Sequence, residues 1–307
     1  MKRAAMILGM LSAATFLAAQ QQTSPAQPQQ PAGGTSQQGS AAPAPAVGKR
    51  PPQAKTQPEF DGYNAAMANQ KDAAAMEKAA DDFATKFPDS ELRVLLYKAA
   101  MRAYQNANNG DKMLETAQKL LKLDPDDPEA LIASAEVITE RTRDTDLDKD
   151  QRFAEATKNA QRALETVDTD VPIPANTPQA QIDAYKGLLR SSAYSILGAI
   201  QYNQEKYADA EGYFRKSIDA YPSQPDPIVV LRLALALDKQ SKYPDALKEA
   251  NHAVELTQDG TAAGTTARHE RDRLVQLTGG ASPAGSAPPP ASKPQAGATP
   301  GSAPPAQ

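Results

Sequence analysis

Four carboxylates in the middle of the chain have a spacing that could bind a metal ion. Asp144, Asp146 and Asp148 alternate with uncharged residues, and Glu155 follows eleven residues after Asp144. Calcium is bound by about six to eight oxygen atoms, which carboxylates and backbone carbonyls of a short loop can supply. This stretch is therefore the first candidate for chemistry in the sequence.

The spacing resembles the EF-hand calcium loop over 12 residues, with carboxylates at its first, third, fifth and twelfth places. It departs from that loop at Lys149, which occupies the place of the turn glycine, and at Gln151, which replaces an apolar residue. Glu155 also fits an ordinary solvent-facing position of a helix. We interpret residues 144–155 as a solvated acidic loop without a metal, and a calcium-responsive binding module is the alternative.

No other group of residues suggests catalysis. His252 and His269 are the two histidines, and the chain has no cysteine. His269 and Glu270 begin like a zinc-protease helix, but Arg273 stands where the second histidine ligand is needed. The sequence also lacks a glycine-rich phosphate loop and a serine nucleophile motif. It therefore predicts a protein that is not an enzyme and needs no cofactor, with an accessory domain of an enzyme complex as the lowest-ranked alternative.

The elements that would position any site are clearest in residues 191–224. Large and small side chains alternate there at the spacing through which two paired helices pack, namely Tyr194, Leu197, Gly198, Tyr207, Ala210, Phe214 and Pro222. This pattern resembles one tetratricopeptide repeat (TPR), a helix–turn–helix unit of about 34 residues. Small residues would let the two helices approach closely, and Pro222 would end the second helix.

Related patterns continue on both sides, since KYPDAL at 242–247 repeats KYADAE at 206–211. The resemblance implies an all-α, TPR-like helical solenoid of about five helix–turn–helix units plus a C-terminal capping helix, flanked by disordered segments. The units are predicted at about 57–90, 94–127, 128–168, 178–224 and 227–260, with the cap at 266–278. Two interruptions are expected: an insertion around 142–151, and a long helix that Thr177 caps and that runs to about Asn203.

The two ends of the chain differ from the repeats. Residues 1–19 are typical of a secretory signal peptide, because Lys2 and Arg3 precede an uncharged apolar run. We predict an exported protein of bacterial type, periplasmic or secreted, with an uncleaved membrane anchor as the alternative. Residues 20–56 are rich in Gln, Pro and Ala, and residues 279–307 in Pro, Ala and Gly; both are predicted to be disordered.

The net charge of the chain limits the classes of partner that it is predicted to bind. A formal net charge of −4 leaves no basic excess to neutralise phosphates, so nucleic acid is not a predicted partner. In TPR arrays the first helices of the units line a concave groove, so the resemblance implies a scaffold that binds a protein or peptide, with a role in envelope assembly. No small-molecule substrate is inferred. The candidate partner-binding residues are Lys98, Arg102, Gln105, Glu136, Glu140, Tyr202, Asn203 and Asp238.

Overall fold

The computed structural model describes residues 48–279, and within them eleven α-helices follow one another. They are α1 (Gln57–Met67), α2 (Ala73–Lys86), α3 (Leu92–Asn106), α4 (Gly110–Leu123), α5 (Pro128–Arg141), α6 (Lys149–Thr166), α7 (Gln179–Asn203), α8 (Tyr207–Ala220), α9 (Pro227–Lys239), α10 (Tyr243–Leu256) and α11 (Ala262–Leu277). No named strand occurs in this part of the chain. The predicted signal peptide, most of the predicted linker and all but the first residue of the predicted tail lie outside it.

Each helix packs against the next, and α1 also contacts α3 while α5 contacts α7. The helices therefore form five successive pairs, α1–α2 to α9–α10, which we call the first to fifth units, with α11 packed on the last pair. Buried side chains form clusters that follow one another along the array. This arrangement confirms the predicted all-α, TPR-like solenoid with a terminal helix.

The second, fourth and fifth units share one turn between their two helices. Asn108, Glu205 and Ser241 occupy the same place in it, with φ of 53°, 61° and 60°. In each turn the next residue's N–H bonds a carbonyl five residues earlier, as Lys206 does to Gln201 at 2.9 Å. A left-handed residue at this place satisfies carbonyls that the end of a helix leaves unpaired. The repeat is thus defined by its backbone as well as by its apolar pattern.

Close packing of the fourth unit depends on a glycine in its first helix. A Cβ atom placed on Gly198 would lie 2.6 Å from two ring carbons of Phe214, whose side chain is fully buried in α8. The second unit reverses the sizes at these two positions, with Met101 and Ala117. The large side chain thus comes from one helix in the fourth unit and from the other helix in the second, as a close-packed interior allows.

The long helix is present as predicted, but its start differs. α7 has 25 residues and begins at Gln179, because Pro178 is extended and supplies no side-chain cap. The Thr177 hydroxyl instead donates to the Pro174 carbonyl at 2.8 Å. The terminal helix also begins earlier than the predicted 266, because Thr261 caps it by accepting from the Gly264 N–H at 3.0 Å.

Residues 48–56 form an ordered strap along the first three units, which corrects the predicted disorder of this part of the linker. Lys49 makes a short bridge with the 171–173 connector and places its ammonium 2.7 Å from Asp124. Arg50 then binds Glu91 at 2.8 Å. The strap thereby contacts the loops that follow the first, second and third units, and composition alone did not reveal these charge pairs.

Within residues 48–279, no helix combines the length and apolar character needed to cross a bilayer.

Candidate partner-binding surface

The candidate residues are carried by the first helices of four units. Lys98, Arg102 and Gln105 lie on α3, Glu136 and Glu140 on α5, Tyr202 and Asn203 on α7, and Asp238 on α9. These helices are the first members of four consecutive pairs. The side chains nevertheless differ in what they contact.

Lys98 is buried, with 7% of its surface exposed, and forms ion pairs with Asp127 and Glu129. Arg102 lies on α3 with Lys98, and its guanidinium binds Glu129 of α5 with an Nη2–Oε2 distance of 2.7 Å. Tyr185, on the first turns of the long helix, donates its hydroxyl to Glu129 at 3.0 Å. Lys98 and Arg102 therefore join the second, third and fourth units, a role that the sequence-based prediction of groove ligands missed.

Lys98, Arg102, Asp127 and Glu129 form a largely buried charged cluster, and the pKa values of its members show that each charge stabilises the opposite charges beside it. Burial alone would raise the pKa of Glu129, but Arg102 and Lys98 outweigh burial and lower it to about 2. Burial likewise opposes the charge on Lys98, yet the carboxylates of Asp127 and Glu129 raise its pKa. The cluster therefore stays ionised inside the array at neutral pH.

Glu136 and Glu140 lie one turn apart on α5 and make no ion pair within residues 48–279. Glu136 is partly buried and Glu140 is exposed. Burial, with added repulsion from Glu140, raises the pKa of Glu136 to about 7. Arg232 opposes this shift and Asp226 adds to it. This pair is an acidic surface on the third unit that a basic group would stabilise.

Tyr202 is half-buried and packs edge-on against Tyr207, with ring centroids 5.3 Å apart. Asn203, the last residue of α7, is exposed beside it. Asp238 is paired with Arg273 of the terminal helix at 2.5 Å, so it ties the fifth unit to α11. Gln105 is partly exposed near the end of α3. Tyr202 also packs on the apolar cluster that joins the fourth and fifth units. Within residues 48–279, no ion pair links Glu136, Glu140, Tyr202, Asn203 or Gln105 to another unit, and their role in binding stays a prediction.

The carboxylates of the acidic loop at residues 144–155 do not come together around one point. Asp146 accepts from the Arg143 N–H at 2.9 Å and pairs with Arg152 at 3.2 Å, while Asp144 pairs with Lys149 at 3.5 Å. Glu155 lies exposed on α6. No group of three or more potential ligands that could hold a metal occurs between residues 48 and 279. The contacts of Asp144 and Asp146 are those of a solvated loop held by basic neighbours.

The sequence reasoning missed a charged contact between the first two units. Glu77 of α2 accepts from the Tyr104 hydroxyl at 2.6 Å and pairs with Lys119 of α4 at 2.9 Å. Asp81, one turn later on α2, accepts from the Tyr97 hydroxyl at 2.8 Å and pairs with Lys119 at 3.0 Å. A signal for it was available, because tyrosine and lysine recur 97 positions later in the fourth unit as Tyr194 and Lys216.

The chain can be compared with known proteins by sequence and by structure. No protein-family profile matches the chain, and no curated protein matches its sequence. A thermophilic TPR protein of Thermus thermophilus is similar in structure, with a TM-score of 0.40 and 14% identity over 71% of this chain and 100% of that chain.

Two further solved structures are similar at the same level. A tetratricopeptide repeat protein from Parabacteroides merdae gives a TM-score of 0.37 and 12% identity, over 73% of this chain and 88% of that chain. The assembly chaperone of RpL4 (Acl4) gives 0.41 and 11%, over 72% and 98%. The fold is a TPR-like helical solenoid. That assignment rests on the paired helices described above. The three structural similarities, with their low TM-scores, are not used to infer function.

Proposed function

We propose that the protein is a non-enzymatic exported scaffold, which binds a protein or peptide along the first helices of its third and fourth units. The proposal is supported by the contact between α5, which carries Glu136 and Glu140, and α7, which carries Tyr202 and Asn203. These side chains are exposed or partly exposed and make no ion pair within residues 48–279, unlike Lys98 or Asp238.

The chemistry of this surface favours a basic or amide-rich segment. Two carboxylates one turn apart attract a lysine or arginine, and a bound cation would draw Glu136 into its ionised form. Tyr202 offers a large contact area at a small cost in side-chain entropy, and Asn203 can bond a ligand backbone. Export is supported by the residue pattern of 1–19 alone, and a role in envelope assembly is inferred from the combination of export with a binding scaffold.

The test is capture from the envelope fraction with the mature chain, followed by affinity measurement with the captured partner. Tyr202→Ala should weaken binding by about 1–3 kcal/mol without loss of helicity. Glu136→Gln together with Glu140→Gln should weaken binding of a basic partner further. Lys248→Ala, at an exposed position of α10, is the matched control and should change nothing.

Removal of residues 280–307 should leave the affinity unchanged. If binding survives the Tyr202 and Glu136 variants together but is lost with that tail, the repeats serve as a spacer and the proposed surface is wrong.

A further inference from the structure

The fifth unit carries an unpaired charge in the middle of an apolar helix. Residues 228–237 of α9 are apolar except for Arg232, which is partly buried. Its side chain makes no ion pair and no hydrogen bond within residues 48–279. A guanidinium that is partly removed from water and left unpaired costs free energy, so the charge of Arg232 does not stabilise the array.

Arg232 lies on the side of α9 that its neighbours leave open. Four residues of α9 that are not buried, Ile228, Arg232, Leu235 and Lys239, recur at intervals of four, three and four. This spacing places them on one side of the helix. The buried residues of α9 occupy its other sides, where α8 and α10 pack. Arg232 therefore projects away from the second helices of the units.

The long helix α7 has an open side of the same kind. Its partly exposed residues Leu188, Ser192, Ser195, Ala199 and Tyr202 recur at intervals of four, three, four and three. α7 contacts both α5 and α9. Because the serines and the alanine are small, the middle of this side leaves room between α5 and α9. We call this space, with residues 188–202 of α7 as its floor, the central groove.

On the third unit, the open side of α5 is acidic. Between Pro128 and Glu140, the two residues that are not buried are Glu136 and Glu140. Burial and the charge of Glu140 raise the pKa of Glu136, while Arg232 opposes the shift and Asp226 adds to it. Charges of the fifth unit can act on Glu136 only if the two units approach each other over α7, because Coulomb interactions weaken with distance.

Glu136 and Arg232 nevertheless form no ion pair with each other. The central groove therefore has an unpaired anion on the side of the third unit and an unpaired cation on the side of the fifth. A ligand that carries both charges would neutralise the two sides together. Arginine can bind a carboxylate through two parallel hydrogen bonds, so a carboxylate suits the second side.

We propose, on the basis of the proposed function, that the central groove binds an extended segment of a partner protein that carries a basic and an acidic residue. The basic side chain binds Glu136 and Glu140, and the acidic side chain binds Arg232. Arg232 is thus a ligand-binding residue in addition to the eight that the sequence predicted.

The separation of the two charges follows from the fold. Packed helices lie about 8–10 Å apart, so α5 and α9 are separated by about twice that distance, and their side chains shorten the gap. An extended chain advances about 3.3 Å per residue, so about two to four residues of the ligand would lie between its two charged residues.

The probe is a set of labelled, end-blocked dodecapeptides of Ser, Asn and Leu, which carry one lysine and one aspartate separated by two, three or four residues. Binding to the mature chain is followed by fluorescence polarisation at low and high salt. We expect one separation to bind best. Replacement of its lysine or of its aspartate by asparagine should weaken binding by about tenfold each. Added salt should also weaken binding.

A change of charge in the protein identifies the residue that binds the aspartate. Arg232→Gln should weaken the best peptide by about tenfold and leave the peptide without aspartate unchanged. Arg232→Glu should reverse the preference, so that a peptide with lysine at both places binds more tightly. Lys248→Glu, an equal charge change at an exposed position of α10, should alter neither affinity.

The inference is overturned if no peptide binds, if the aspartate makes no difference, or if Arg232→Glu leaves the order of the peptides unchanged. Circular dichroism of both Arg232 variants separates loss of the site from loss of the fold. The captured partner distinguishes this inference from the proposed function. Binding of that partner that depends on Tyr202 and Glu136 but not on Arg232 would overturn the inference alone, and binding that depends on none of the three would overturn both.

Discussion

The second and fourth units share the turn between their two helices and differ in how they are joined to their neighbours. Both turn through a left-handed residue, Asn108 in one and Glu205 in the other. The second unit is fixed by charges on two sides, through Lys119 to the first unit and through Lys98 to the third. In the fourth unit, Ser195 stands in the place of Lys98, and the counterpart of Lys119 has no acidic neighbour.

The difference shows that one set of positions fixes the packing of each helix pair, and a separate set fixes whether charged residues join one unit to the next. Residues on the packing faces fix the helix pair, although the large and small members of one contacting pair are exchanged between Gly198–Phe214 and Met101–Ala117. Residues one turn apart on the preceding helix decide whether a junction is closed by charges or left available.

The largest effect is expected at the charged side of the second unit. Glu129→Ala removes the buried carboxylate that binds Arg102 and one of the two carboxylates that pair with Lys98, and should reduce the free energy of unfolding by about 3–5 kcal/mol. Ser195→Ala, at the fourth-unit counterpart of Lys98, should stay within about 0.5 kcal/mol. Urea unfolding followed by circular dichroism measures both changes. Equal effects would remove the distinction between the two units.

The same cluster predicts a dependence on pH. The pKa of Glu129 is lowered in the folded protein, from 4.5 to about 2, so its contribution is complete above 4.5 and is lost as the pH falls towards 2. The difference in stability between the wild type and Glu129→Gln should therefore narrow over that interval. A difference that stays constant would mean that Glu129 is not charged in the fold.

The second effect concerns the junction between the first two units. Glu77→Ala removes the acceptor of Tyr104 and one partner of Lys119, and should cost about 1–3 kcal/mol. Thr157→Ala is the matched change on α6, where no such partners exist, and should be nearly neutral. If both changes cost the same, the two junctions are equivalent and the comparison fails.

The third effect tests the equivalence of the packing faces. Gly198→Met alone should destabilise the fold by about 1–3 kcal/mol, since even its Cβ atom would contact the Phe214 ring. Gly198→Met with Phe214→Ala copies the Met101 and Ala117 pair of the second unit and should restore part of that loss. Thermal unfolding of the single and double variants gives the result. No recovery in the double variant would contradict the shared register.

The fourth effect is smaller and of opposite sign. Glu205→Asn places at the fourth-unit turn the residue type that the second unit has at Asn108, and asparagine tolerates positive φ better than glutamate. We expect a gain of about 0.5–1 kcal/mol, measured by thermal unfolding. Glu205→Ala provides the control, because alanine removes the carboxylate but keeps the backbone strain, and should give no gain.

The smallest effect is expected in the third unit, which lies between the second and the fourth. Millimolar calcium should not raise the melting temperature, because Asp144 and Asp146 are paired with basic residues and Glu155 lies on the helix. A rise in the melting temperature that Asp144→Ala with Glu155→Ala removes would instead support the calcium-responsive alternative.

Much of the fold could be predicted because helix pairing leaves a local signature. Tyr194, Gly198 and Phe214 report a packing face through their size and spacing, and the helical periodicity of α7 marks its unusual length. The residues that cap the helices were harder to predict. Thr177 and Thr261 have the same side chain, but only the backbone at Thr261 lets the hydroxyl accept from the first turn of a helix. The positions of the candidate partner-binding residues follow from the register, and their role in binding stays a prediction.

The roles of the charged residues could not be predicted in the same way. Lys98 and Arg102 stand at positions that line a groove, but the extra turns of α7 bring Tyr185 onto Glu129 and close that part of the array. The strap of residues 48–56 was likewise hidden, because its ordering comes from partners that lie 75 and 41 residues away for Lys49 and Arg50.

The sequence by itself determined the helix pairs, their order and their packing register, because each of these depends on residues within about one repeat length. Only the tertiary structure decided which charges are neutralised inside the chain and which remain at the surface. An ion pair depends on the separation of two groups across a junction, and that separation is set by the whole array rather than by either residue. Lys119 and Lys216 are the same residue at the same place in two units, and their neighbours alone make one a structural contact and the other a surface cation.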